Sequence, residues 1–288
     1  MEQTPRNYRT PDAAIDLTEL HPLTAPDFAK RKKSNRKISM ITCYDAVFAQ
    51  IIARTPIDCV LVGDSCAMVV HGEKTTIPAT VDMMITHTRS VRTGLQAAGL
   101  AKFLVADMPF LSFRAGLPVA IEAAGALMRA GADAVKLEGV DGHEDVVHNL
   151  VQSGIPVMGH LGLTPQSFHT LGGHKVQGRN NSSVEVLKAQ ALKLEQLGCF
   201  ALVLECIPEK LGGEIARQLS IPVIGIGAGR EVDGQVLVLH DMLGLTGFTA
   251  TFVHRYIDGS ALVVQALKEY CDDIDSGAFP GATEVFGP

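Results

Sequence analysis

From Ile38 onward the chain alternates short apolar runs with longer segments of helical period. The runs Ile38–Cys43, Cys59–Gly63, Phe103–Ala106, Ala134–Leu137, Val157–His160, Ala201–Glu205 and Val223–Ile226 are strand candidates, and several are nearly continuous in Val, Ile and Leu. That pattern marks parallel strands covered on both faces. Helical stretches lie between them, among them Val119–Ala130, Ser183–Leu197 and Glu209–Leu219. The pairs Ala130-Gly131 and Leu197-Gly198 close two of these, glycine suiting the left-handed helix end. Seven strands with intervening helices predict a parallel α/β protein. An eighth strand is expected at Val236–Leu239 or at Leu243–Thr246. Periodicity alone leaves a closed (β/α)8 barrel and an open doubly wound sheet both standing. The missing GxGxxG after the first strand disfavours a dinucleotide-binding open sheet. A last helix is expected over about 260–275, its apolar stripe packing on the barrel or on another subunit. Residues 1–23, interrupted by Pro5, Pro11 and Pro22, read as an irregular arm, and 24–288 as one barrel domain with its terminal helix.

Composition narrows the class. The 288 residues are 47% hydrophobic and 19% charged, enough apolar material for a large core. A formal charge of −6 excludes the global basic footprint of a nucleic-acid binder. The run Lys30–Lys37 is basic at six of eight positions and reads either as a solvated stretch before the first strand or as an anion or localisation patch. Six cysteines without a CxxC pair suggest reduced thiols. The amino-terminal segment has neither a secretory apolar region nor a transit-peptide composition, and no charge-free apolar run reaches roughly 18 residues. Cytoplasm is the expected location, without membrane association.

Candidate chemistry comes from where the polar residues fall. Tyr44-Asp45, Asp64-Ser65, Asp107, Glu138, His160 and Glu205 sit where apolar strands end. In a parallel barrel those ends share one face, where active sites are built. Asp64, Asp107 and Glu138 would then converge from three strands, an oxygen-rich set suited to Mg²⁺; the alternative is that each acid caps a following helix. Lys136 and Glu138, two apart on a strand, point to the same side, with Val135 and Leu137 facing the helices. A buried lysine there requires an anionic partner, either Glu138 or a substrate carboxylate or oxyanion. Glu205 ends an apolar strand, where partial burial suits proton transfer; an ion pair with a neighbouring strand is the other reading. His160 either donates a hydrogen bond to substrate or satisfies a carbonyl at the barrel end. Cys206 reads as a structural thiol. Gly225-Ile-Gly227-Ala-Gly229 reads as a phosphate-cradling loop or a close backbone approach.

The segments VGDS (62–65), ADMPF (106–110), VKLEG (135–139), GHLGLTPQS (159–167), GGHKVQGR (172–179), LVLE (202–205) and IPVIGIGAG (221–229) occur in the order and spacing of one family. Over roughly residues 24–285 the chain resembles the 3-methyl-2-oxobutanoate (ketopantoate) hydroxymethyltransferases. The resemblance implies a (β/α)8 barrel of the phosphoenolpyruvate/pyruvate class. It implies transfer of a hydroxymethyl group from 5,10-methylenetetrahydrofolate to 3-methyl-2-oxobutanoate, giving 2-dehydropantoate on the route to pantothenate and coenzyme A. It further implies Asp64 and Asp107 as Mg²⁺ ligands with Glu138 bound or nearby. Asp64, Ser65, Asp107 and Lys136 are then contacts to the ketoacid, Glu205 is the proton-transfer residue, and the assembly is a homo-oligomer, commonly a decamer. Val140, His174 and Cys66-Ala67 depart from the family pattern without removing a ligand, and His174 lies in a loop expected near the folate. A Mg²⁺-dependent C–C or C–P lyase of the same barrel class is the competing enzyme reading. Such lyases carry a Lys-Lys-Cys-Gly-His loop, which this sequence lacks. A non-catalytic ketoacid-binding protein is the competing non-enzyme reading.

Overall fold

In the computed structural model, described for residues 23–100 and 102–287, eight parallel strands close into a barrel in chain order. They are β1 (Ile38–Thr42), β2 (Cys59–Val62), β3 (Phe103–Asp107), β4 (Ala134–Glu138), β5 (Val157–Gly162), β6 (Ala201–Glu205), β7 (Val223–Ile226) and β8 (Gly234–Leu237). The helices are α1 (Ala25–Lys33), α2 (Ala46–Ala53), α3 (Cys66–Val69), α4 (Val81–Ala97), α5 (Leu117–Arg129), α6 (Glu144–Gln152), α7 (Phe168–Leu171), α8 (Asn181–Gln196), α9 (Glu209–Gln218), α10 (Leu239–Met242) and α11 (Gly259–Ser276). Closure is made by β8 pairing with β1, Ile38 opposite Gly234. The barrel thus leaves no free sheet edge, which settles the choice against the open sheet.

Alternation along the strands makes two apolar layers. Met40, Leu61, Val105, Met158, Val203, Ile224 and Val236 fill the barrel interior. Ile41, Val60, Leu104, Val135, Leu137, Leu202 and Val223 face the helices. The eighth strand lies two residues before the first expected window, and Leu239, the end of that window, opens α10 instead. Leu243–Thr246 forms no strand. The residues of the arm up to position 22 lie outside the described residues.

The basic run has a role that composition did not disclose. Its first half ends α1, whose Phe28 is fully buried and closes the barrel bottom against Phe103 and Phe200, with ring centroids 5.0 and 5.1 Å away. Burying such a ring contributes about 2–3 kcal/mol. Arg31 pairs with Asp58 at 2.7 Å, and Lys32 with Asp233 at 2.9 Å. These cations therefore fasten α1 to the barrel rim, whereas Lys30 remains solvated. Helix α11 extends away from the barrel: every one of its residues after Gly259 is exposed. It does not pack on the barrel, one of the two expected arrangements. Among the described residues no helix is long and apolar enough to cross a membrane. All six cysteines are free.

Candidate active site

Strand register brings the polar strand ends together. Asp107 lies opposite Lys136, Glu138 opposite His160, and Gly162 opposite Glu205. Lys136 Nζ sits 2.6 Å from Asp107 Oδ1, both side chains almost completely buried. Glu138 was the candidate partner within the lysine's own strand, but a carboxylate on the adjacent strand faces the ammonium directly. Asp107 Oδ2 accepts the backbone N–H of Asp64 at 3.0 Å, which locks the turn after β2. Asp45, by contrast, is a helix cap, accepting from Phe48 N at 2.9 Å. Asp64, Asp107 and Glu138 all line the barrel-mouth cavity.

His160 is buried in the centre of the charged groups. Its Nδ1 lies 3.5 Å from Glu138 Oε1 and 3.4 Å from Lys136 Nζ, and its Nε2 lies 3.2 Å from Glu205 Oε2. Burial and the Lys136 charge oppose a second proton on the ring. Glu138 and Glu205 outweigh them and push its pKa up to about 9. Burial likewise disfavours the Lys136 cation, yet Asp107, Asp64 and Glu138 hold it protonated well above the ordinary lysine range. Asp64 is driven well above the usual carboxylate range by burial, then by Asp107 and Glu138, with Lys136 and Gln166 acting in the other direction. Burial followed by the Glu205 charge pushes the Cys206 thiol up to about 12, which fits a structural role and not a nucleophile.

Gln166 is a site residue that sequence reasoning passed over. Its side-chain amide donates to Asp64 Oδ2 at 2.8 Å and to Met108 O at 3.0 Å. Its backbone N–H donates to Glu138 Oε2 at 3.0 Å. One residue therefore orients two of the three candidate metal-ligating acids. The available signal was its place in Thr164-Pro165-Gln166, where Pro165 opens a short 3-10 turn at the exit of β5. Tyr44, buried after β1, holds the Ser65 hydroxyl at 2.9 Å.

Asp64, Ser65, Asp107, Lys136, Glu138, His160 and Glu205, all seven expected residues, line one cavity of about 400 Å³ at the carboxyl end of the barrel. Four of these seven residues are carboxylates facing two cations, Lys136 and protonated His160, and Glu73 and Asp241 also line the cavity, so negative charge is in excess. That excess fits a divalent cation beside Asp64 and Asp107. Mg²⁺ takes one or two carboxylates and completes its shell with water and substrate oxygens, so Asp64 and Asp107 could hold it. Glu138, whose oxygens contact Gln166 N and His160, serves better as support than as a direct ligand.

Solved structures similar in fold include 2,3-dimethylmalate lyase, a phosphoenolpyruvate mutase/isocitrate lyase superfamily member (TM-score 0.58, 15% identity, 92% of each chain). Phosphonopyruvate hydrolase in complex with oxalate and Mg²⁺ is another (TM-score 0.60, 9% identity, 91% of this chain and 93% of that one). At these identities the likeness concerns the barrel alone. Sequence relatives reach further. The 3-methyl-2-oxobutanoate hydroxymethyltransferase of Coxiella burnetii is 48% identical over 260 residues, covering 90% of this chain and 96% of its own. Those of Bdellovibrio bacteriovorus and Legionella pneumophila are each 50% identical, covering 91% and 90% of this chain and 99% and 98% of theirs. The family model described as ketopantoate hydroxymethyltransferase matches residues 22–282. With the strand-end residues gathered in one cavity and the match running through the whole barrel, the chain belongs to the ketopantoate hydroxymethyltransferase family.

Proposed function

We propose that this protein transfers a hydroxymethyl group from 5,10-methylenetetrahydrofolate to 3-methyl-2-oxobutanoate, giving 2-dehydropantoate and tetrahydrofolate, on the route to pantothenate and coenzyme A. The observation that carries the reading is one cavity holding a carboxylate pair suited to a divalent cation, a buried ammonium, and a carboxylate on the opposite side. Asp64 and Asp107 would hold Mg²⁺, which supplies polarisation of the keto carbonyl and so acidifies the C3 proton. Lys136 and Ser65 meet the anionic end of the ketoacid, with Lys136 charged throughout the neutral range. Glu205 Oε takes the C3 proton, directly or through one water, as negative charge develops on the substrate. Protonated His160, 3.2 Å from Glu205 Oε2, steadies that carboxylate before the transfer. Water adds to the one-carbon unit and frees it as formaldehyde, both carbon–nitrogen bonds to the folate breaking and N5 and N10 each taking a proton. The electron pair at C3 then bonds this carbon, and the proton held by Glu205 passes to its oxygen, which becomes the new hydroxyl.

The test is exchange of the C3 proton into deuterated water with Mg²⁺ and without folate. Wild type should exchange, and Glu205→Gln should lose about 10²–10⁴-fold, the usual contribution of a positioned base. Wild-type exchange in that variant would remove Glu205 from the role. A wild-type protein that binds ketoacid yet forms no 2-dehydropantoate with methylenetetrahydrofolate would reject the reading as a whole.

A further inference from the structure

Two histidines that do not line the barrel-mouth cavity face each other beside it. His71 follows α3 and His87 lies in α4, with their Nε2 atoms 2.9 Å apart and their rings edge to face at 5.2 Å between centroids. His87 Nδ1 lies 2.6 Å from the backbone carbonyl oxygen of Tyr44. A carbonyl oxygen only accepts, so Nδ1 carries the proton of the neutral ring and the lone pair sits on Nε2, aimed at His71. Metal-ligating histidines are oriented in this way, the ring nitrogen away from the ion donating to a carbonyl or carboxylate. We propose that His71 and His87 bind a divalent transition cation of the zinc class through their Nε2 atoms, and that the bound ion ties the turn after α3 to α4.

The spacing suits such an ion. Two Zn–N bonds of about 2.0–2.1 Å at a tetrahedral angle set the nitrogens about 3.3 Å apart, so the pair has to open by only about 0.4 Å. His71 is the exposed partner and the one with room to turn. Without an ion, His71 Nε2–H donates to the His87 lone pair. On binding, His71 takes its other neutral tautomer, with the proton on Nδ1, so both rings offer a lone pair and no net proton is released. Water completes the shell. Imidazole nitrogen suits Zn²⁺, whereas Mg²⁺ prefers oxygen, so the pair does not compete for the ion placed at Asp64 and Asp107.

The turn that carries His71 also builds the cavity wall. Met68, Val69, Glu73 and Thr76 line the barrel-mouth cavity. His71 N donates to Cys66 O at 3.1 Å and Glu73 N to Ala67 O at 2.9 Å, which folds the turn back onto α3. Helix α4 is packed tightly on α2, since a Cβ on Gly94 would overlap Ala46. An ion held between the two rings therefore joins part of the cavity wall to a fixed helix.

Zn²⁺ titration with Mg²⁺ in excess tests the site, read by ring-nitrogen NMR, equilibrium dialysis and amide exchange. In wild type Zn²⁺ should move the Nε2 resonances of His71 and His87, and Mg²⁺ should not. His71→Ala, at an exposed position, should bind one Zn²⁺ fewer per chain or hold it about tenfold or more weakly. Zn²⁺ should also slow amide exchange over residues 68–76 in wild type and not in His71→Ala. Equal Zn²⁺ stoichiometry and affinity in wild type and variant, or Nε2 resonances of His71 and His87 that do not respond to Zn²⁺, would overturn the site. Zn²⁺ bound at the pair without added protection of 68–76 would overturn the tie between turn and helix.

Discussion

Replacing Lys136 with methionine keeps most of the side chain's volume and removes the ammonium lying 2.6 Å from Asp107 Oδ1. Two unit charges at that distance attract by about 6 kcal/mol at an effective dielectric near 20. The net loss is smaller, because burying the ammonium itself carries a desolvation cost. Removing one partner of a buried pair typically costs about 3–5 kcal/mol, since the other charge stays behind unpaired. Here the remainder is a group of carboxylates, and the loss should depend on pH. Asp64 is already held well above the ordinary carboxylate range, and Lys136 is one of the groups restraining that rise. Without the lysine, folded Asp64 keeps its proton over a wider range than the unfolded chain does. Stability of the variant therefore falls as pH rises above about 4, where the unfolded carboxyl ionises. In wild type, the raised lysine pKa contributes stability that is complete below about 10.4 and lost only as pH rises further, so it does not vary across the neutral range. Urea denaturation in the presence of a chelator at pH 5.5 and pH 8 should show Lys136→Met about 3–5 kcal/mol below wild type at pH 8, with a smaller gap at pH 5.5. Restoring Mg²⁺ should recover part of the difference by binding only the folded form. A deficit under about 1 kcal/mol at pH 8, or one equal at both pH values, would refute the electrostatic reasoning.

Gln166→Leu leaves Asp64 Oδ2 and Met108 O without their donor, and a loss of about 2–4 kcal/mol is expected by chemical denaturation; a change under about 0.5 would show that water replaces the amide. Gly162 has φ +94°, and a Cβ there would overlap the Glu205 carbonyl. Gly162→Ala should accordingly lower both thermal stability and C3 exchange by displacing Glu205, and wild-type behaviour in both assays would contradict the register drawn between β5 and β6. In the metal-free protein the His160 ring should titrate in NMR near pH 9, its stabilising contribution present below about 6.5 and lost as pH rises through 9; a midpoint at or below 6.5 would contradict its placement between Glu138 and Glu205. Helix α11 presents Leu262, Val263, Leu267, Tyr270 and Ile274 to solvent, each at least 45% exposed, while outward-facing Gln235 of β8 is also uncovered. Light scattering is expected to show a homo-oligomer that Leu267→Glu makes smaller, and a monomeric wild type would contradict a subunit-contact role for this face.

The sequence by itself determined the parallel α/β class and the identity of the polar strand ends. Strands buried on both faces must be nearly continuous in apolar residues, so a charge such as Asp107, Glu138 or Glu205 at the end of such a run stands out against its surroundings. It could not distinguish the closed barrel from an open sheet by periodicity, because closure depends on β8 meeting β1, a contact between segments nearly 200 residues apart. Side-chain partnership was hidden for the same reason. Lys136 and Glu138 share a strand, yet the parallel register sets Asp107 of β3 opposite the lysine. Gln166 carries no charge and lies in a turn, so nothing local marked it; only the fold brings its amide 102 residues back to Asp64. The basic run before β1 was equally silent, since Asp58 and Asp233 reach it only once the barrel bottom is assembled. Sequence pattern records which side chains a strand must bury or expose, whereas the pairing of charges and the cavity they line arise from register and closure, which are properties of the whole sheet.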